Sequence, residues 1–361
     1  MAMHPESGRE RVPSGTDHQA CTKSAYSITR SAIMKVFVTG GSGFVGGALV
    51  RRLVAEGHEV MALARSGSSI QRVRAAGADA VPGDLTELGP AGSPAPIWLT
   101  KLREADAVVH VAAHMEFWGP DSLFEQANHV PTVALHAASV AAGVRRFVLI
   151  SAASVSTGSQ RRPVVDESTP EGRPNIAYSR VKLATERTLL KANSENTELV
   201  VLRPPFIWGR GMTTINEMVK VAEAGRFAWI DHGKHIVDFV HVENLAAAAI
   251  LALTRGRHRG VYYATDGTPM PIRDFLTPLL ATRGVDLSKS RSVPLAMAAP
   301  MAAMMDRTAR LLRRKTAPPL TNWLVSFTGR DRSYDITAAR RELGYSPDVT
   351  VEKGLAEMSF S

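Results

Sequence analysis

The fold of this chain is decided by one stretch near its start, Thr39-Gly40-Gly41-Ser42-Gly43-Phe44-Val45-Gly46. The run directly before it, Lys35–Thr39, is apolar and β-branched, which is typical of a buried strand. From Phe44 to Glu56 apolar side chains recur at helical spacing, and Gly57 follows as a helix-ending glycine. The stretch therefore predicts a tight turn from a first strand into a first helix.

The glycines of this turn fit two related phosphate-binding patterns. Gly41, Gly43 and Gly46 match G-x-G-x-x-G, and Gly40, Gly43 and Gly46 match G-x-x-G-x-x-G. Backbone without a Cβ can approach a pyrophosphate, and the helix N-terminus offers free N–H groups to the anion. A structural turn is the alternative, but a strand before and a helix after favour a dinucleotide site. The predicted contacts in this stretch are Thr39, Gly40, Gly43, Phe44, Val45 and Gly46.

Strand and helix patterns alternate as far as about residue 250. Further strands are predicted at Glu59–Ala64, from Ala80, and at Ala107–Val111, Arg146–Ser151 and Leu199–Leu202, with helices at Ile70–Ala76, Pro131–Ala142 and Tyr178–Ala192. Strands separated by helices pair in parallel through right-handed crossovers. We therefore predict a doubly wound parallel α/β sheet in residues 34–204, to which 236–253 returns. The rest of 205–361 is predicted to form a smaller substrate-binding lobe, and the polar residues 1–33 a disordered leader.

The end of the second predicted strand indicates which dinucleotide binds. NAD sites usually place Asp or Glu there for the ribose 2′-hydroxyl, whereas this strand ends Leu63-Ala64-Arg65-Ser66, without a carboxylate. The Arg65 guanidinium can pair with a 2′-phosphate through parallel hydrogen bonds. We therefore predict NADP as the preferred cofactor, with NAD as the alternative. A solvent-exposed arginine is the plainer interpretation.

A second motif, Tyr178-Ser179-Arg180-Val181-Lys182, has the pattern Y-x-x-x-K within a predicted helix. Residues four apart share a helix face. The ordinary pKa of tyrosine, ~10, is too high for efficient proton exchange at neutral pH, and a nearby lysine cation lowers it. Tyr178 is therefore predicted to exchange a proton with a carbonyl or alcohol oxygen as hydride moves, with Lys182 as its partner. A surface pair is the alternative.

Other motifs follow one another in a fixed order. They are Gly83-Asp84-Leu85, His110-Val111-Ala112-Ala113, Asn128-His129-Val130-Pro131-Thr132, Arg203-Pro204-Pro205, Asp238–Val242 and Arg341–Pro347. With the glycine turn and Y-x-x-x-K, this set resembles the extended short-chain dehydrogenase/reductases of the NAD-dependent epimerase/dehydratase superfamily. More narrowly, it resembles the branch of 3β-hydroxysteroid dehydrogenases and dihydroflavonol reductases. The resemblance runs from Met34 to about Met358 and implies a Rossmann fold.

The resemblance also implies roles by position. Asp84 and Leu85 would contact the adenine, Ala112 and Ala113 would line the dinucleotide, Pro205 would flank the nicotinamide, and Asn128 would hold a helix kink and proton relay. Lys182 would also bond the nicotinamide ribose.

One position departs from the family pattern. The family usually has two serines after the fifth strand, and the second orients the substrate oxygen. Here the run is Ser151-Ala152-Ala153-Ser154, with Ala152 at the expected serine. Ser151 is assigned the catalytic role, and Ser154 is the alternative. Without either, a missing donor to the reacting oxygen would cost about 10²–10³ in rate.

Charge is concentrated near the C-terminus. Of the net charge of +9, the segment from Asp306 to Arg332 contributes seven Arg or Lys and two Asp. Nucleic-acid motifs are lacking, so no nucleic-acid partner is predicted. The Ala- and Met-rich run Val293–Leu312 favours an amphipathic helix packed on the smaller lobe, which Pro300 would keep short. The stripe facing inward would comprise Met301, Met304, Met305, Leu311 and Leu312. The alternative is an apolar lid with weak peripheral contact to a membrane.

The motifs together predict an NADP-preferring oxidoreductase for a rather apolar, sterol-like substrate. A nucleotide-sugar epimerase or dehydratase, with Arg210 and Arg226 on a diphosphate, is one alternative, and a non-catalytic NADP-binding regulator is another. No run of residues is long and apolar enough to span a membrane, and a cytoplasmic location is expected. A homodimer is compatible with the sequence. No metal site is predicted, since His110, His114 and Glu116 run from a strand into a loop.

Overall fold

A seven-stranded parallel sheet carries the glycine turn. The structure, a computed structural model, describes residues 33–89, 94–116, 118–157, 164–194 and 196–359. The predicted leader, apart from Ile33, lies outside the described residues.

The described residues contain fifteen strands. In chain order they are β1 (Lys35–Thr39), β2 (Glu59–Ala64), β3 (Asp79–Pro82), β4 (Ala107–His110), β5 (Arg146–Ile150), β6 (Val164–Val165), β7 (Glu198–Arg203), β8 (Phe206–Trp208), β9 (Ala228–Ile230), β10 (Ile236–Val237), β11 (Phe239–His241), β12 (Gly260–Tyr263), β13 (Met270–Pro271), β14 (Arg291–Val293) and β15 (Ser333–Tyr334).

The same residues contain eleven α-helices. They are α1 (Phe44–Ala55), α2 (Gly67–Ala75), α3 (Asp121–Phe124), α4 (Val130–Ala141), α5 (Ala177–Lys191), α6 (Thr214–Glu223), α7 (Val242–Leu251), α8 (Ile272–Ala281), α9 (Leu295–Leu311), α10 (Asn322–Thr328) and α11 (Val351–Ser359).

The central sheet has the order β12-β7-β5-β4-β1-β2-β3, and every neighbouring pair is parallel. The direction of winding reverses between β1 and β4, which opens a crevice at the carboxyl ends of these two strands. The predicted doubly wound sheet is confirmed. The seventh strand, β12, was not predicted, and it extends the sheet beyond β7.

Alternating side chains of the strands pack on opposite faces of the sheet. Val36 and Val38 of β1 pack with residues of α1 and α7, whereas Phe37 packs with Leu135 of α4 on the other face. This alternation follows from the two-residue period of a strand. Helix α7 lies within the segment 236–253, which was predicted to return to the sheet, and it packs against α1.

A second hydrophobic cluster lies in the chain after β7. It is built around stacked and edge-on aromatic rings, among them Trp208, Phe239 and Phe275. Two-stranded pairings accompany it, including β8 with β11 and β9 with β14. From this part of the chain, residues of β8, β10 and α10 line a cavity that also contains Tyr178.

Helix α9 differs from the prediction. Pro300 does not stop it, and it runs for 17 residues. Its packed face consists of Ala298, Ala302, Asp306 and Ala309, because small residues allow a close approach to the cluster around Ile230 and Val325. The predicted inward stripe is wrong.

Four of the five residues of that stripe face outward instead. Met301 is 44% exposed, Met304 62%, Leu311 84% and Leu312 60%. No helix in the described ranges combines the length and apolarity that a membrane span requires.

Candidate active site

The glycine turn has no room for side chains at two of its positions. Gly40 has φ +74°, and a Cβ there would lie 2.7 Å from the backbone nitrogen of Ala112. A Cβ at Gly46 would lie 2.1 Å from the carbonyl oxygen of Gly40. Gly40 therefore lets the turn pack against the residues that follow β4, and Gly46 lets the start of α1 pack against the turn itself.

The first turn of α1 is open to an anion. Gly43 precedes the helix without any side-chain cap, and its own N–H donates to the Gly40 carbonyl over 3.0 Å. The N–H groups at the start of an uncapped helix carry partial positive charge. The residues present thus fit the pyrophosphate of a dinucleotide, as the glycine pattern predicts.

A chain of hydrogen bonds runs behind the turn from β1 to the start of α4. Thr39 Oγ1 accepts from the Ala112 N–H over 3.3 Å and contacts His110 Nδ1 at 2.7 Å. His110 Nε2 lies 2.8 Å from Thr132 Oγ1, which donates to the Asn128 carbonyl. Burial, with the Lys182 charge as the second cause, lowers the pKa of His110 to about 3. His110 is therefore a neutral link in this chain, and both of its ring nitrogens have hydroxyl partners.

Asn128 lies in a π-helical turn, Glu125–His129, directly before α4. Its side-chain amide donates to the carbonyl of His114 over 3.0 Å and accepts from the N–H of the same residue over 2.7 Å. The helix irregularity implied by the family resemblance is present, and Asn128 ties it to the loop after β4.

The carboxyl ends of β2 and β3 form a polar edge beside the glycine turn. The Arg65 side chain is 76% exposed, and its Nη1 lies 4.0 Å from Asp84 Oδ2. Ser66 caps α2 by accepting from the Ser69 N–H. From within α2, Arg72 Nε donates to the carbonyl of Ser42, over 3.2 Å. Sequence reasoning missed Arg72, because nothing in the local pattern shows that a residue in the middle of α2 reaches the turn.

Tyr178 and Lys182 lie one turn apart on α5, and both are buried. Lys182 Nζ donates to the Ile150 carbonyl over 3.0 Å and lies 5.9 Å from the centre of the Tyr178 ring. Burial lowers the pKa of Lys182 to about 8, against the opposing effect of Glu186.

Burial raises the pKa of Tyr178, although a lowering by Lys182 was expected. The lysine is held by the Ile150 carbonyl and does not bond the phenol, so removal of the hydroxyl from water dominates.

The two candidate serines have different partners. Ser151 Oγ donates to Glu186, which is fully buried and forms an ion pair with Arg203 at 2.6 Å. Ser154 Oγ instead accepts from Ser179 Oγ over 2.7 Å. Because Ser154 accepts in this bond, its own proton can be donated to another oxygen. Ser179 was missed in the sequence, since its role depends on the turn after β5 folding back onto α5.

One cavity brings several of these residues together. Phe44, Val45, Ser151, Ala152, Ser154, Tyr178 and Pro205 all line it. Arg65, Asp84, Leu85, Ala112, Ala113 and Lys182 do not line this cavity. Most of its remaining wall is apolar and comes from Met115, Ile176, Phe206, Met212, Val237, Trp323 and Phe327.

His114 and Glu116 make only a weak pairing, with 3.8 Å between Nε2 and Oε1. Within the described ranges, no three His, Cys, Asp or Glu side chains are grouped so as to hold a metal ion.

Comparison with known proteins agrees with this geometry. Residues 36–264 match the model of the NAD dependent epimerase/dehydratase family. A 4-hydroxy-2-methyl-3-oxo-4-farnesyl-3,4-dihydroquinoline-1-oxide ketoreductase from Stigmatella aurantiaca is 34% identical, over 89% of this chain and 95% of that protein. A 2-alkyl-3-oxoalkanoate reductase from Stenotrophomonas maltophilia is 33% identical, over 91% and 99%. A 3-beta-hydroxysteroid dehydrogenase from Mycolicibacterium neoaurum is 31% identical, over 91% of each chain.

Solved structures share the fold. A dTDP-glucose 4,6-dehydratase from Streptomyces venezuelae superposes with a TM-score of 0.68 at 25% identity, covering 91% of this chain and 96% of its own. A UDP-glucose 4-epimerase from Thermotoga maritima has a TM-score of 0.67 at 19% identity, covering 91% and 98%.

Proposed function

The chain belongs to the NAD dependent epimerase/dehydratase family and is an oxidoreductase, and we propose that it transfers hydride between NADP(H) and a carbonyl or alcohol carbon of an apolar substrate. The observation that carries this proposal is the cavity in which the buried Tyr178 hydroxyl meets a largely apolar wall beside the glycine turn. Relatives named for a farnesylated dihydroquinoline, a 2-alkyl-3-oxoalkanoate and a 3-beta-hydroxysteroid support an apolar substrate.

The chain's own residues fit the two ends of the cofactor. Gly40, Gly43 and Gly46 would hold the pyrophosphate at the start of α1, because a Cβ at Gly40 or Gly46 would fill the cradle. Arg65 and Arg72 flank this region with positive charge, which supports NADP over NAD. When bound, the cofactor supplies or accepts the hydride.

Tyr178 moves the proton. Because burial raises its pKa, the hydroxyl keeps its proton at neutral pH and can donate it to a carbonyl oxygen as negative charge develops there. In the reverse direction the same oxygen accepts the proton of an alcohol. Lys182 remains largely charged below its pKa of about 8 and stabilises negative charge on the phenol oxygen.

We assign the second hydroxyl at the reacting oxygen to Ser154. It lines the cavity with Tyr178 and accepts from Ser179, so its proton is available to a substrate oxygen. Ser151, which the sequence favoured, donates to Glu186 and supports the buried ion pair with Arg203. The serine missing at position 152 is thus replaced from two residues further along the chain.

Three further predictions stay predictions: a homodimer, a cytoplasmic location and weak peripheral contact with a membrane. The exposed stripe of Met301, Met304 and Leu311 on α9, with Arg307 and Arg310 on the same helix, supports contact with an anionic lipid surface.

The proposed function is tested by Tyr178→Phe with a panel of apolar ketones, following NADPH oxidation. We expect turnover to fall by about 10²–10⁴ while NADPH affinity stays within a few-fold, because only proton transfer is lost. Tyr345→Phe is the matched control. The buried Tyr345 hydroxyl donates to the Thr265 carbonyl over 2.9 Å, and Tyr345 does not line the cavity. Unchanged turnover in Tyr178→Phe contradicts the proposal. NADPH binding without turnover on any ketone would favour the regulator, and turnover of UDP-sugars the epimerase.

A further inference from the structure

A second cavity adjoins the first and has a different chemical character. Its polar lining comes from three arginines and three neutral side chains: Arg173, Arg330, Arg332, Asn175, Asn322 and Ser326. We call it the arginine cavity. It shares Asn175, Ser326 and Arg332 with the cavity that contains Tyr178. A molecule bound in the first cavity can therefore extend into the second.

No ion pair within the described residues neutralises the charge of the arginine cavity. Of the described residues that line it, none is acidic. Among the ion pairs of the described chain, none involves these three arginines, whereas the neighbouring Arg180 and Arg187 pair with Asp121 and Glu171. Cations that converge without a counter-charge repel one another, so an anion bound between them is stabilised.

The nearest carboxylate in sequence is already engaged elsewhere. Asp331 lies between Arg330 and Arg332, yet its Oδ1 accepts from the Ile236 N–H over 2.9 Å and lies 3.3 Å from His235 Nδ1. The same oxygen therefore serves two partners on β10 and the residue before it. Arg330 and Arg332 both line the cavity, and the Arg332 guanidinium also donates to the buried Tyr334 hydroxyl.

Arg332 is held in place by its backbone. Its N–H donates to the Ile236 carbonyl over 2.7 Å, and its carbonyl accepts from the Asp238 N–H over 3.2 Å. The side chain is half-buried and lies at the boundary of the two cavities. A guanidinium in that position can donate two parallel hydrogen bonds to one planar anion.

We propose that the arginine cavity binds a carboxylate of the substrate, so that the preferred substrate is an apolar keto acid with its carbonyl near Tyr178. This inference rests on the proposed function for the carbonyl end of the substrate. The apolar wall of the first cavity holds the hydrocarbon part, and Arg332 binds the carboxylate, with Arg173 and Arg330 adding positive charge. A nucleotide diphosphate is the competing anion, but the apolar wall between Tyr178 and Arg332 favours the keto acid.

The test compares an α-alkyl β-keto fatty acid with its methyl ester, which has the same shape without the charge. Binding is measured by calorimetry in the presence of NADP⁺, which prevents reduction. We expect the wild type to bind the acid about 10- to 100-fold more tightly than the ester. Arg332→Gln should remove this preference and leave ester affinity unchanged, Arg332→Lys should restore part of it, and Arg330→Gln should weaken acid binding less.

The matched control is Arg291→Gln, an equal change of charge at an exposed arginine of β14 that lines neither cavity. It should change neither affinity. The proposal is overturned if the wild type binds acid and ester equally, if Arg332→Gln weakens both alike, or if UDP-glucose displaces the acid and itself requires Arg332. Failure of the proposed function has a different signature: acid binding that depends on Arg332, but no NADPH oxidation.

Discussion

The cofactor side and the substrate side of the cleft are built in different ways. The cofactor side depends on the backbone of eight consecutive residues, Thr39–Gly46, in which a Cβ at Gly40 or Gly46 would collide with other backbone atoms. The substrate side depends on side chains that the fold gathers from Met115 to Tyr334. The backbone turn depends on one short stretch of sequence, whereas each side chain of the cavity wall can be substituted separately. The difference explains how one scaffold can keep a cofactor while its substrate varies.

The largest effect is expected at the backbone-built side. Gly46→Ala places a Cβ 2.1 Å from the Gly40 carbonyl oxygen, so the turn must open. We expect NADPH affinity to fall by about 100-fold or more. Gly47→Ala is the matched control in the same helix, since its Cβ would meet nothing closer than 3.5 Å. Isothermal titration of both variants makes the comparison, and equal affinity for NADPH would show that the turn is not the cradle.

A somewhat smaller effect is expected at the serines. Ser154→Ala should lower kcat by about 100-fold with little change in NADPH affinity, because a donor to the reacting oxygen is lost. Ser151→Ala should instead lower the free energy of unfolding by about 1–3 kcal/mol, since it removes a buried donor to Glu186. Steady-state kinetics and thermal unfolding of both variants separate the roles. A stable, inactive Ser151→Ala beside an active Ser154→Ala would reverse the assignment.

The smallest effect is expected at the exposed edge. Arg65→Gln should weaken NADPH binding by about tenfold and leave NADH binding nearly unchanged, because only NADPH carries the 2′-phosphate. Arg74→Gln, at an exposed arginine of helix α2, which begins two residues after Arg65, serves as the control. Fluorescence titration with both cofactors measures the ratio. Equal losses for NADPH and NADH would mean that Arg65 does not read the phosphate.

The sheet and the turn could be predicted because their signals are local. Six strands of the central sheet follow from runs of apolar residues, and the glycines from their spacing. β12 was not predicted because its four residues, Gly260–Tyr263, follow an irregular, basic loop and have no alternating pattern of their own. α9 was assigned the wrong packed face, because periodicity shows that a helix has two faces but not that Ala298 and Ala302 allow the closer approach.

The unpredicted parts of the site all depend on contacts between distant segments. Ser179 donates to Ser154, and Arg72 donates to the Ser42 carbonyl although helix α1 and strand β2 lie between them in the sequence. Arg173 and Arg332 share one cavity although two strands of the central sheet, β7 and β12, lie between them in the sequence. No local pattern encodes such pairings, since they exist only once the chain is folded.

The central claim is that a hydride carried by the cofactor at the glycine turn reaches a carbon whose oxygen is protonated by Tyr178. It is tested most directly with NADPH deuterated on the transferring face of the nicotinamide and an apolar keto substrate, with the product analysed by mass spectrometry. The account predicts an alcohol that carries a single deuterium on the former carbonyl carbon, formed by the wild type and almost not at all by Tyr178→Phe. Two results would contradict the account. One is an alcohol without deuterium whichever face of the nicotinamide is labelled, and the other is as much labelled alcohol from Tyr178→Phe as from the wild type.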